Sequence, residues 1–183
     1  GLVEPMNRWG LISAGGSMGM GLPFAVGFAL SKKLKGEEGR VYVLMSDGEM
    51  QCGTTWESAL IAAHHKLDNL FVIVDCNDFQ AMGKTDDILS LGMIWEKFEK
   101  FGWFFWNING HHFKSIKAVL NHDNSHLPED MKHFWRVDLG KPEIVFATTT
   151  KGAGISFMEN NNLYHYKAPS QEEYELALKE LNV

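Results

Sequence analysis

The sequence predicts an α/β fold: a three-layer, doubly wound, mostly parallel sheet. Three observations lead there. Short apolar runs alternate with segments of helical spacing. The order strand–helix–strand between residues 40 and 74 is the sequence form of a right-handed parallel crossover. The first two strands each end on a polar residue, Asp47 and Asn77, as at the ligand-binding edge of such sheets.

The first fifteen residues, with Pro5, Trp9 and Gly10, read as irregular. A helix is expected from Ser17, with Pro23 near its first turn and Ala25, Gly27 and Ala29 keeping one side thin. Arg40 to Met45 is a near-continuous apolar run, expected to be a strand buried on both faces. Thr54 to Lys66 has helical spacing, with Trp56, Leu60 and Ala63 on one face. Leu70 to Val74 is a second buried strand. The alternation continues with a helix over Trp95 to Phe101, a strand over Trp103 to Ile108 and a helix over Phe113 to Leu120. The Trp103 to Trp106 cluster has strand spacing and reads as core or interface rather than as a stacking platform. Residues 121 to 142 are polar and read as a long surface excursion. Glu143 to Thr148 is a further strand, and a capping box, Ser170 with Glu173, opens a last helix running to about Leu181.

With 183 residues the chain fits one domain, 1–183. Hydrophobic content of 45% and charged content of 22% are those of an ordinary globular protein. A net charge of −6 without a basic run speaks against a nucleic-acid surface and against a polybasic membrane signal. The longest apolar stretch, Gly19 to Leu30, is too short to span a bilayer. Two cysteines, Cys52 and Cys76, make neither a disulfide framework nor a thiolate zinc site, and a reducing cytoplasm is the expected setting. No signal peptide is visible. Without an initiator methionine, and opening directly into an irregular stretch, the chain reads as a fragment.

Two stretches carry chemistry. Ser46-Asp47-Gly48-Glu49 follows the first strand, and Asp75-Cys76-Asn77 ends the second. Parallel pairing sets both on one edge, where Asp47 and Asn77 offer hard oxygen ligands to one cation, with diphosphate oxygens and water completing an octahedron. Gly48 permits close backbone approach to an anion, and a following helix N-terminus adds free N–H groups. Taken alone, Asp47 reads equally well as a helix cap. The second stretch, Gly15-Gly16-Ser17-Met18-Gly19-Met20-Gly21, suits a close approach to phosphate or cofactor, yet it lacks the dinucleotide spacing and reads as readily as turn glycines.

Nearly the whole chain resembles the later part of the amino-terminal half of transketolase, especially the form whose two halves are separate gene products. Gly16 to Gly21 is similar to that family's G-S-L-G-Q-G. Asp47 to Glu57 resembles D-G-E-x-Q-E-G-x-x-W-E, and Asp75 to Gly83 resembles the asparagine end of the thiamine motif. Lys151 to Asn160, with His165 and Lys167-Ala168-Pro169, resembles K-G-x-G-x-S-F-M-E-N…W-H-G-K-A-P, the most specific of the four.

The resemblance implies a thiamine diphosphate-binding domain of the diphosphate type, working with Mg2+ (or Ca2+ or Mn2+). Asp47, Asn77 and the Phe79 carbonyl would hold the ion. Gly16, Ser17 and Met18 would line the cofactor beside Gly48 and Glu49. His165 would reach the diphosphate and the substrate, and Glu57 would lie at a subunit interface. The implied reaction moves a two-carbon ketol unit from a ketose or ketose phosphate to an aldose. The pyrimidine-binding domain is absent and would come from a carboxy-terminal-half partner in a two-plus-two assembly; the family's upstream segment is absent too. Departures are Ser46 for glycine, Cys52 for an interface glutamate, Leu2 for a histidine and Tyr166 for glycine. Cys52 reads as a small buried residue rather than a reactive thiol. Two alternatives stand beside this reading: a non-catalytic cofactor-binding or assembly subunit, and a related carboligase or 2-oxo acid decarboxylating subunit. The remaining histidines show no ligand spacing.

Overall fold

A computed structural model of the protein describes residues 10–122 and 140–182; Leu2 and most of the polar segment 121–142 fall outside them. Four strands, β1 (Val41–Ser46), β2 (Leu70–Cys76), β5 (Phe104–Asn109) and β6 (Glu143–Thr148), form one parallel sheet in the order β1-β2-β6-β5. A two-stranded antiparallel hairpin, β3 (Phe79–Gln80) and β4 (Gly83–Lys84), follows β2. The helices are α1 (Gly21–Lys35), α2 (Gly53–His64), α3 (Thr85–Leu89), α4 (Ile94–Lys100), α5 (Phe113–Asn121) and α6 (Gln171–Glu180). The expected α/β class, the four main strands and the helices at 94–100, 113–121 and 171–180 are all present.

Alternation along the strands divides the core in two. Leu70, Val72 and Val74 of β2 and Ile144 and Phe146 of β6 face α1, α2 and Phe98 of α4. Phe71, Val145 and Ala147 point the other way, toward Trp106, Ile108 and α5 residues Ala118 and Val119. The aromatic spacing at 103–106 serves this core, as expected. Trp103 is buried, its indole N–H donating to the Ala59 carbonyl at 2.9 Å and its ring meeting Phe98 edge-on. Edge-on aromatic pairs of this kind add about 0.5–1.5 kcal/mol beyond their burial.

Three local expectations change. The first helix begins at Gly21, not Ser17, because Gly19 takes a left-handed φ of +73° that a helix cannot continue. Its buried stripe is Leu22, Ala25, Val26 and Ala29, while Gly27 faces outward. On α2 the buried side is Thr55, Ser58, Ala59 and Ala62, and Leu60 stands exposed. β1 is covered on one face only: Tyr42 and Leu44 are 51% and 73% exposed. α5 covers the β5–β6 half of that face through Ala118 and Val119. Between it and β1 runs an apolar groove of about 240 Å3, lined by Leu44, Phe71, Ile73 and Val119.

The final helix opens with the expected capping box. The Ser170 hydroxyl accepts from the Glu173 amide at 3.2 Å, and the Glu173 carboxylate accepts from the Ser170 amide at 2.7 Å. Loss of an N-cap hydroxyl costs about 1 kcal/mol. Ser170→Ala is therefore expected to lower the melting temperature by roughly 2–4 °C, which thermal unfolding followed by circular dichroism will measure.

Candidate functional site at the carboxyl edge of the sheet

Because all four main strands run parallel, their carboxyl ends share one edge, and the motifs gather there. Ser46, Asp75 and Ala147 lie side by side in register across β1, β2 and β6. Asp47 leaves β1 into a 3-10 turn, Asp47–Gln51, rather than directly into a helix. The residue is largely buried, at 6% exposure. Oδ1 accepts the Gly48 amide at 2.7 Å and Oδ2 accepts the Asp78 amide at 2.6 Å. Asp47 thus ties the end of β1 to the turn after β2.

That turn is built by its own residues. Asp78 adopts a left-handed φ of +65°, and the Asn77 side-chain oxygen accepts the Phe79 amide at 3.0 Å, closing an Asx turn. The Asn77 amino group donates to Asp75 Oδ2 at 2.9 Å. The expected pair, Asp47 and Asn77, is therefore brought to neighbouring positions, one residue removed through Asp78.

The electrostatics at Asp47 are unusual. Burial pushes its pKa up to about 6, the two amide bonds oppose this, and the Asp78 and Asp75 carboxylates add to it. Among the described residues no lysine, arginine or histidine forms an ion pair with it. A buried acid beside two others, without a cationic partner, suits a bound divalent cation. The described residues contain no cluster of three or more His, Cys, Asp or Glu ligands. The ligands here would instead be one carboxylate and neutral oxygens, a set that leaves coordination positions for an anionic cofactor.

The glycine loop folds over the 3-10 turn. Gly16, Ser17 and Met18 are exposed, and Gly19 is buried. The Met18 methyl lies 3.5 Å from the position a Cβ on Gly48 would occupy, so Met18 covers Gly48. The Gly48 amide, expected to meet an anion, is turned to Asp47 in this structure. The Gly19 amide donates to Glu49 at 3.3 Å, and the Gly19 carbonyl accepts from the Thr54 hydroxyl at 2.7 Å. Glu49 thus fastens the loop, and its own pKa is raised by burial. A side chain on Gly19 would sit 2.5 Å from the Cys52 Cβ. Cys52 is small because the loop rests on it. Burial and the Glu49 carboxylate raise its thiol pKa, which opposes a reactive thiolate and supports the packing role expected for it.

His165 lies on an exposed 3-10 turn, Asn162–His165, tethered to the hairpin by Asn162 donating to the Ala81 carbonyl at 3.2 Å. Its Nδ1 is 3.5 Å from Lys151 Nζ, and partial burial together with that cation lowers its pKa. Tyr166 packs edge-on against its ring. His165 forms no bond to Asp47 or Asn77 among the described residues. Glu57 is exposed on α2. Three participants had no role from sequence: Asp75, Thr149, whose hydroxyl donates to Asp75, and Gln80, whose side chain presses on Gly48. A cavity of about 420 Å3 adjoins Asp47, lined by Gln51, Asp78, Thr85, Asn107 and Thr148.

Residues 4–181 match the family model described as transketolase, thiamine diphosphate binding domain, and the chain belongs to that family. An apulose-4-phosphate transketolase subunit from Actinobacillus succinogenes is 43% identical over 166 residues, 91% of this chain and 55% of that protein. The 6-deoxy-6-sulfo-D-fructose transketolase subunit SqwG of a Clostridium species is 32% identical, over 91% of this chain and 56% of its own length. The chain therefore spans about half the length of these curated relatives. The crystal structure of transketolase from Campylobacter jejuni superposes with a TM-score of 0.77 at 26% identity, covering 92% of this chain and 26% of that one. No helix among the described residues is long and apolar enough to cross a membrane.

The Asp47 acid has a testable sign. Its folded pKa, about 6, lies above its ordinary value of 3.8, so the folded chain holds the proton more tightly between those values and stability falls as pH rises through that window. Relative to Asp47→Ala, the ligand-free wild type is expected to gain about 1 kcal/mol between pH 7 and pH 5, read from paired denaturant titrations. A pH-independent difference would remove the buried-charge account.

Proposed function

We propose that this chain anchors thiamine diphosphate and a Mg2+ ion in a transketolase-type transferase that moves a two-carbon ketol unit from a ketose, free or phosphorylated, to an aldose. The observation that carries the reading is the buried Asp47 carboxylate, without a cationic partner among the described residues and bonded to the Asn77 turn at the sheet's carboxyl edge. In this reading Asp47, the Asn77 side-chain oxygen and the Phe79 carbonyl hold the ion; Ca2+ or Mn2+ could replace it through the same hard ligands. Gly16, Ser17 and Met18, with Gly48 and Glu49 beneath them, line the cofactor. His165, whose pKa is lowered by partial burial and by Lys151, serves the diphosphate and substrate side, and Glu57 faces a partner chain. The cofactor supplies the nucleophilic carbon that carries the two-carbon unit; the chain supplies binding, orientation and the charge balance of the metal site.

Relatives named as subunits support a complementary chain for this one too. That partner would contribute the pyrimidine-binding domain in a two-plus-two assembly, with residues 1–183 acting as one diphosphate-binding domain. The cytoplasm is the natural setting for such an enzyme. A non-catalytic cofactor-holding subunit would share the ligands, so turnover with the partner separates the two readings.

The isolated chain is expected to show no ketol transfer, and addition of the partner should restore it; full turnover by this chain alone would overturn the split-subunit reading. In calorimetry with the assembled protein, Asp47→Ala should abolish Mg2+-dependent cofactor binding, and unchanged affinity would remove the site assignment. Because a proton competes with the ion for Asp47, wild-type Mg2+ affinity should decline below about pH 6 and level off above it.

A further inference from the structure

An asparagine amide is nearly symmetric in shape, and a half-turn exchanges its oxygen and nitrogen at little steric cost. Only the oxygen can ligate a hard cation. Whichever groups forbid the half-turn at Asn77 therefore decide whether the position can hold a metal at all.

Two groups do so. On one side the Phe79 amide donates to Asn77 Oδ1 at 3.0 Å. On the other, Asp75 Oδ2 accepts from Asn77 Nδ2 at 2.9 Å. A flipped amide would set its amino group against the Phe79 N–H and its oxygen against the Asp75 carboxylate. Oδ1 keeps a second lone pair beyond the bond from Phe79.

Asp75 is itself held. Its other oxygen accepts from the Thr149 hydroxyl, and the Thr149 amide donates to the Cys76 carbonyl at 3.0 Å. Asp75 lies within β2, paired with Ser46 and Ala147, so its backbone is part of the rigid sheet rather than of the loop. The Phe79 donor belongs to the same turn as Asn77 and moves with it; Asp75 is the partner that refers the amide to the sheet.

We propose that Asp75, locked by Thr149, is the positioning residue that keeps the Asn77 side-chain oxygen on the cation side of the turn. This rests on the reading of Asp47 and Asn77 as ion ligands. Asp75 touches neither substrate nor cofactor in this role; it orients the Asn77 amide.

The test is a Mg2+ titration of the full chain assembled with its partner, at saturating thiamine diphosphate, followed by intrinsic tryptophan fluorescence. Partners that orient metal ligands are typically worth about 10–100-fold in metal affinity. Asp75→Ala is expected to weaken Mg2+ binding by that factor. Asp75→Asn keeps a carbonyl for Asn77 and offers its amino group to the Thr149 hydroxyl, and it should recover to within about threefold of wild type, a rescue set by hydrogen-bond geometry rather than charge. Thr149→Val should fall between the two. Ligand-free melting temperatures show whether a variant folds; if Asp75→Ala does not, the Asn and Val variants decide.

Asp75→Asn as weak as Asp75→Ala, wild-type affinity in Asp75→Ala, or wild-type affinity in Thr149→Val would each overturn the positioning role. Wild-type protein that binds no Mg2+ with thiamine diphosphate would overturn the underlying metal-site reading as well, an outcome distinct from the other three.

Discussion

The Asp78 amide donating to Asp47 Oδ2 joins two strand ends that the chain separates by a whole helical crossover. The sheet sets those ends side by side, but parallel pairing alone leaves each following loop free to choose its path. Asp47 removes that freedom. Its burial is unfavourable for a charged carboxylate, as its raised pKa records, and the two amide bonds offset only part of that cost. Protein sites with such uncompensated charge are commonly places where function has been favoured over stability. The glycine loop, the Asx turn and the hairpin are all arranged around this group.

Around it, small residues do the fitting. Gly19 rests on Cys52, and Gly48 is closed from above by Met18 and from the side by Gln80. The thiol at position 52, where the resemblance leads one to expect an interface glutamate, is explained by this contact. It is a packing solution suited to a loop that sits close to the 3-10 turn. The Asp75 carboxylate and the Thr149 hydroxyl extend the same network to the end of β6, so residues far apart in sequence share one hydrogen-bonded edge.

Much of this was legible in the sequence because the signals are local and repetitive. Apolar runs marked the four long strands, helical spacing marked α4 and α5, and Ser170 with Glu173 marked the last helix. Asp47 and Asn77 stood out because strand ends in parallel sheets carry ligands. What could not be read depends on partners distant along the chain. Helix α1 starts at Gly21 because Thr54 and Glu49 hold Gly19 in a left-handed turn. The open face at Tyr42 and Leu44 follows from where α5 lies on the sheet, which no periodicity in β1 reveals. Two-residue strands such as β3 and β4 have too few positions to show alternation. Asp75 is held by Thr149, 74 residues further on.

The last helix does more than close the chain. Glu173 receives hydrogen bonds from Tyr164 and Lys167, on either side of His165, while Glu180 receives the Ser156 hydroxyl and amide. Both loops of the distal motif are thus moored to α6, which contributes only Ala177 to the buried interior. Clipping by a protease near residue 169 would leave the sheet and its hydrophobic layers in place. It would nevertheless leave α6 held only by non-covalent contacts, and with it the moorings that the His165 turn and the 151–160 loop share. The Asn162–Ala81 bond would then be the turn's remaining tie to the hairpin.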